Sequence, residues 1–257
     1  MKSKIKVTAV SYLNTKPFLY GIFNHGLEEE LDLELNIPSV CAQKLRDGEV
    51  DLGLVPVAII PQLIRPHIIS DYCIGTVGAV KTVCLYSHCP LEAISSIYLD
   101  YHSRPSAALL QLLLREYWHL HPQLLEATPG YIDQIQGTEA GLVIGARTIG
   151  LETRFPYVYD LGEGWEAHTG LPFVFAAWVS NKALAPDFID RFNRALAAGL
   201  AHIPQLIYLL PKPEADFDLP AYFNQHISYE LDDPKRLALD RFLKALGVQD
   251  PVEGLLE

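Results

Sequence analysis

The run from Gly48 to Ile60, GEVDLGLVPVAII, limits the fold of this chain more than any other stretch. Val50, Leu52, Leu54, Val55 and Val57 make it nearly continuous in apolar residues, and glycine and proline bound it. A short run that is apolar on both faces is the mark of a strand covered on both sides, as in a sheet with crossover helices. The residues before it agree. Lys4 to Val10 alternates and is rich in β-branched side chains, and Pro17 stands where a proline can begin a helix reaching about Leu27. Leu31 to Ile37 reads as a second strand, and Ser39 as the cap of a short helix to Arg46 that Gly48 stops. Strand, helix, strand, helix, strand is the rhythm of an α/β fold.

Further along, Ile74 to Tyr86 is extended and leads into a strand at Ile94 to Leu99. In SRPSAALLQLLLREYW the apolar positions Ala108, Leu109, Leu112 and Leu113 recur at helical spacing, with Ser103 to Ser106 at the start. Ala140 to Gly145 is another strand, and Pro172 to Val179 has the long aromatic pattern of a central one. Phe188, Ile189, Phe192, Leu196, Leu200 and Ile203 then mark a helix face, and the last helix is expected with Asp233 as N-cap, Pro234 at its first turn and Gly247 after its end. The two extended stretches imply a middle lobe inserted into the first. Residues 1–80 and 178–257 then form one α/β lobe and 81–177 the other, with a ligand site in the cleft where strand-end loops converge.

Bulk composition narrows the function. With 257 residues, 49% of them hydrophobic, the chain can bury a full core without staples. The four cysteines, Cys41, Cys73, Cys84 and Cys89, form no CxxC pair and have no histidine at zinc-finger spacing, so they are expected as free thiols with no metal. A net charge of −11 excludes general nucleic-acid binding, which needs a basic face. The opening MKSKIKVTAV runs into Asn14, Thr15 and Lys16 before an export signal could form, and no run reaches the length of a membrane span. The expectation is a cytoplasmic protein that engages no membrane and no nucleic acid. Its assembly is open, a homodimer included.

Four polar stretches sit at strand-to-helix junctions: Ser11 to Lys16, Gly75 to Thr82, Asp100 to Ser106, and His168 to Phe173. Asn14 offers both a donor and an acceptor, Thr15 a hydroxyl, and the helix start behind them free backbone N–H groups. Ser103, Arg104 and Ser106 repeat that design at a second helix start, which suits a carboxylate or phosphate. His102 and His168 are candidate proton carriers. Asp160, in YDLGEGW, reads as a turn stabiliser beside Gly162 and Gly164. There is no GxSxG elbow, no Cys-His signature and no HExxH. The residues alone describe a two-lobed binder of a small anion.

Several stretches together, VSYLNTKPF, GEVDLGLVPV, SRPSAALLQLLL, LVIG, YDLGEGW and TGLPFVFAAWV, resemble in order the chorismate dehydratase family of the futalosine route to menaquinone, over roughly residues 5–180. The resemblance implies a two-lobed, periplasmic-binding-protein-like type II fold with the active site in the interlobe cleft. It also implies loss of water from chorismate, a dicarboxylate, to give 3-[(1-carboxyvinyl)oxy]benzoate, without metal or organic cofactor. Three departures stand out: Pro105 where the family usually has threonine, Ala79 and Thr82 where it often has proline and serine, and Ala146 where it commonly has aspartate. On this resemblance Asn14 lies against the reacting ring, and a substrate carboxylate or His168 takes the ring proton. Ser103, Arg104 and Ser106 hold one carboxylate; Thr82, Thr169 and Gly170 contact the other end, and Ser11 and Tyr12 complete the set. Three rivals are weaker. The sister enzyme of the pathway, which makes 1,4-dihydroxy-6-naphthoate, begins with a Ser-Pro-Cys-Pro-Asn-Asp motif unlike SYLNTKP. A solute-binding protein for transport is expected to carry an export signal, and a transcription regulator a DNA-binding segment.

Overall fold

The apolar runs become two sheets in the computed structural model, which describes residues 4–100, 104–214 and 217–247. The first sheet begins with β1 (Ile5–Val10), β2 (Leu31–Asn36) and β3 (Leu52–Pro56), which pair in parallel with β1 in the middle. Helix α1 (Lys16–Asn24) connects β1 to β2, and α2 (Pro38–Arg46) connects β2 to β3. All five residues of β3 are buried, as their unbroken apolar character requires. Pro38, and not Ser39, begins α2: proline at the first turn needs no N–H partner, and Ile37 is the cap position.

β4 (His67–Thr76) leads out of this sheet to β5 (Val83–Ser87), the first strand of the second. The second sheet continues through β6 (Ser96–Leu99), helix α3 (Arg104–Glu116), β7 (Gln123–Glu126), β8 (Glu139–Ile144) and β9 (Tyr157–Asp160), in the order β7-β6-β8-β5-β9. Helix α4 (Leu161–Thr169) follows, and β10 (Phe173–Ser180) returns to the first sheet. β10 runs antiparallel between β3 and β4 from Phe173, opposite Thr76, to Ser180. The lobe border on the return path therefore falls before Phe173, not at 178, because β10 pairs in the first sheet along its whole length.

The remaining chain packs on the first lobe: α5 (Pro186–Ala201), α6 (Ile203–Leu209), a short helical stretch α7 (Leu219–Ala221) running into a π-turn at Tyr222–His226, edge strand β11 (Ser228–Glu230) and α8 (Asp233–Ala245). Asp232, not Asp233, caps α8: its carboxylate accepts the Lys235 N–H at 3.0 Å, placing Pro234 inside the first turn. Trp178 of β10 is fully buried with Phe192 of α5 edge-on at 5.0 Å, and such side chains contribute about 2–3 kcal/mol each through burial. Among the described residues no helix is long and apolar enough to cross a membrane.

Helices α1 and α5 touch backbone to backbone through two glycines. A Cβ on Gly21 would sit 2.0 Å from the Ala195 carbonyl oxygen, and one on Gly199 would sit 2.0 Å from that of Pro17. Neither position can hold a methyl group unless the helices separate. Gly199→Ala is expected to lower stability by about 1–3 kcal/mol, the usual overpacking cost, read as a lower urea midpoint. The thiols supply a second expectation. Burial pushes Cys41 up to about 11, Cys73 up to about 12 and Cys84 well above the normal thiol range, whereas Cys89 is partly exposed. A thiol-specific chromogenic reagent should therefore titrate Cys89 alone in the native protein, and all four cysteines in denaturant.

Candidate active site

Between the lobes lies a cavity of about 170 Å³. The end of β1 and the turn after it supply Val10 to Asn14, and Pro38, Pro56, Ile74, Phe175 and Ala176 complete the first-lobe wall. The second lobe contributes Val80, Thr82, Val83, Ser106, Ile149 and Ile144 to Ala146. Pro213, Phe217 and Tyr222 close the third side. The lining is mostly apolar, with a few neutral polar groups, and no lysine, arginine, histidine or carboxylate is among the described residues that form it.

The turn carrying Asn14 follows from its sequence. Ser11 N–H donates to Asn36 O at 2.9 Å, ending β1 against β2, and Leu13 to Thr15 form a 3-10 turn that Pro17 converts into α1. From below, the Tyr229 hydroxyl donates to the Asn14 carbonyl at 2.9 Å. The side-chain oxygen of Asn14 and the hydroxyl of Thr15 are buried and have no partner. A buried, unmatched acceptor is costly unless a ligand supplies its partner, and Asn14 lies on the cavity wall.

Across the cleft, the strand-entry segment is held by one carboxylate. Asp160 accepts the N–H groups of Val80 (3.1 Å) and Lys81 (2.7 Å) and also those of Gly162 (2.9 Å) and Glu163 (3.2 Å), where it caps α4. Lys81 adopts a left-handed φ of 64°, a conformation that non-glycine residues rarely take. Thr82 follows at once, buried, with its hydroxyl donating to Val80 O at 3.4 Å. A second buried carboxylate, Asp100, accepts from the Tyr131 hydroxyl (3.0 Å), the Ile144 N–H (3.2 Å) and Arg147 (2.5 Å), and so fixes the turn that brings Gly145 and Ala146 to the wall. Gly145 has a φ of 66°, and a Cβ there would meet the Tyr12 ring at 3.4 Å, so the two lobes touch at this point.

Comparison with known proteins fits this architecture. The sequence profile of one protein family, described as menaquinone biosynthesis, matches residues 5–247. The chain belongs to this family. A protein of Thermus thermophilus named chorismate dehydratase is 27% identical over 233 residues, which cover 82% of this chain and 85% of that one. Among solved structures, a protein of Archaeoglobus fulgidus superposes with a TM-score of 0.71 at 15% identity, covering 95% of this chain and 97% of that one. A Candida albicans protein described as having the generic periplasmic binding protein fold gives 0.65 at 11% identity, covering 98% of this chain and 93% of that one. This menaquinone biosynthesis family member thus has the two-lobed α/β periplasmic-binding-protein fold, of the type II order, with the returning strand between the third and fourth.

Of the residues singled out in the sequence, the structure brings Ser11, Tyr12, Asn14, Thr82 and Ser106 together on the cavity wall. Ser103 and the side chain of Arg104 lie outside the described residues. His168, Thr169 and Gly170 do not line the cavity. They end α4: Gly170 adopts the left-handed φ of 71° that closes a helix, and the Thr169 hydroxyl donates to Trp165 O at 2.7 Å. The His168 ring packs 5.5 Å from that of Tyr117, with Glu116 at 3.9 Å. The histidine expected as a proton carrier is thus a helix-end residue on another face of the second lobe.

Several wall positions, Ala146 and Tyr222 among them, escaped the sequence reading. Ala146 stands where the family commonly has aspartate, and it lines the cavity. Tyr222 lies in a stretch without periodicity, but it is buried on the cavity wall beside Thr82 and Asn14. Burial raises its pKa above the ordinary tyrosine value, and those two neighbours offset part of the rise. The Asp160 clamp gives the test of this geometry. Asp160→Ala removes a helix cap and leaves buried N–H groups unmatched, so it should cost about 2 kcal/mol or more, read as a lower melting temperature.

Proposed function

We propose that this protein is a chorismate dehydratase, removing water from chorismate to give 3-[(1-carboxyvinyl)oxy]benzoate for menaquinone synthesis. The observation that carries this reading is Asn14: a cavity-wall amide within the VSYLNTKPF motif, whose side-chain oxygen is buried and unpartnered. The Thermus thermophilus relative bearing that name supports it over most of both chains.

The chemistry asks little of the protein beyond placement. Loss of a ring proton and of the neighbouring hydroxyl makes the ring aromatic, so the driving force resides in the substrate. The site then has to orient the substrate and stabilise charge as it develops. In this reading the Asn14 side-chain oxygen accepts from the departing hydroxyl, or its amide N–H donates to the enolpyruvyl carboxylate, which itself takes the ring proton. Ser106 and the start of α3 hold one carboxylate, while Thr82, Ser11 and Tyr12 contact the rest of the molecule. The apolar walls from Ile74, Ile144, Ile149 and Phe175 suit a flat carbocycle.

Incubation of the purified chain with chorismate should produce the aromatic carboxyvinyl ether, separable by reversed-phase chromatography and identified by mass. Binding without conversion would point to a non-catalytic anion binder. In Asn14→Ala, kcat should fall by about 10²- to 10³-fold, the scale for losing one oriented polar group at the reacting atoms, with much less change in chorismate affinity. Near-normal turnover in that variant would remove Asn14 from the mechanism.

A further inference from the structure

A hydroxyl departing from a ring needs a proton, and the cavity offers few sources. Among the described residues that line it, the ionisable side chains are Tyr12 and Tyr222. Tyr12 lies flat against Gly145 at the contact between lobes and is partly exposed. Tyr222 is buried at 4% exposure, and its ring is fixed between those of Phe217 and Phe223, each 5.4 Å away. It faces the same cavity as Asn14 of the first lobe and Thr82 of the second. Tyr229, beneath it, holds the Asn14 backbone at 2.9 Å. The phenol therefore stands beside the amide assigned above to the reacting end of the substrate.

We propose that Tyr222 is a catalytic acid of this site, its phenolic proton passing to the ring hydroxyl that leaves as water. The carbon–oxygen bond breaks with its electron pair staying on oxygen, and that oxygen takes the Tyr222 proton. The electron pair of the broken ring C–H bond becomes part of the aromatic ring. The ring proton, first taken by the substrate carboxylate, returns to the Tyr222 oxygen. One water is lost, the chain ends as it began, and no oxidant or reductant is involved.

The surroundings favour a donor over a base. Burial keeps the Tyr222 phenol protonated through neutral pH, while Thr82 and Asn14 favour its charged form and so ease a brief phenolate. The neighbouring Tyr229 is raised well above the ordinary tyrosine value by burial, then by Tyr222 itself, and so adds no charge.

This inference rests on the dehydratase reading, and the experiment separates the two. The unaltered chain is first given chorismate; if no aromatic product forms, the reading and the proposal both fall. If product forms, Tyr222→Phe should lower kcat by about 10²-fold or more, the scale of general acid catalysis, while KM changes by roughly threefold at most and the melting temperature is kept. A kcat within roughly threefold of the unaltered chain would overturn the proposal while leaving the reading in place. Replacement of Tyr222 by 3,5-difluorotyrosine, a more acidic phenol of nearly the same shape, distinguishes proton donation from packing. The alkaline limb of the kcat profile should move to lower pH. An active difluorotyrosine variant with an unmoved limb would also overturn the assignment.

Discussion

The Asp160 carboxylate organises the region on which the candidate site depends. The chain passes from the first sheet to the second after Thr76 and enters β5 at Val83; between them it must turn through Gly78 and Lys81, both at positive φ. Those turns leave backbone N–H groups that no ladder can accept, and Asp160 takes two of them, at Val80 and Lys81. With its remaining capacity it caps α4. The same side chain thus fixes the first crossing and starts the helix that precedes the second. Gly162 is part of this arrangement: a Cβ there would meet the Gly78 carbonyl oxygen at 2.6 Å, so helix and crossing pack as closely as backbone allows. Thr82 holds its place on the wall because of these contacts.

The first-lobe wall is fixed by different means. Asn14 lies in a turn between β1 and a helix that begins with proline, and α1 is pressed onto α5 through Gly21 and Gly199. Tyr229, from the edge strand β11, closes the arrangement by bonding the Asn14 carbonyl. The C-terminal third is therefore more than a cover for the first sheet. It carries Phe217 and Tyr222 to the cavity and supports the turn most exposed to a ligand.

What could be read in the chain divides along physical lines. Regular patterns were legible: the apolar β3, the alternating β1, the helical spacing of α3 and the long β10 each express a burial period that one sequence displays. The polar turn at Ser11 to Asn14 was legible as well, since a strand end running into a proline-started helix exposes N–H groups by its nature. His168 to Gly170 were misplaced because a glycine that closes a helix and a glycine that admits a ligand look alike until the helix end is located. Tyr222 was invisible for the opposite reason. It sits in a π-turn, and it shares the cavity with Asn14 and Thr82, each remote in sequence and one in the other lobe. The shift of the α8 cap from Asp233 to Asp232 is a smaller case, in which adjacent aspartates before a proline leave the cap ambiguous by one residue.

A protein of charge −11 whose cavity wall, among the described residues, carries only neutral side chains is an odd host for a dianion if binding strength alone is considered. The reaction proposed here gives a reason for it. Both carboxylates of the substrate are present before and after dehydration, so a cation placed on either would bind starting material, transition state and product about equally. Such uniform binding lowers KM without raising kcat. Charge changes at the breaking C–O and C–H bonds, and there a neutral donor that is already oriented gains strength as the oxygen becomes more negative. Asn14, Thr82 and Tyr222 line one cavity that spans the two lobes, in a mostly apolar setting where a hydrogen bond counts for more than it does in water. An arrangement of this kind favours the bond-breaking step over tight retention of substrate, and it ties that step to contact between the lobes, because Thr82 belongs to one and Asn14 to the other.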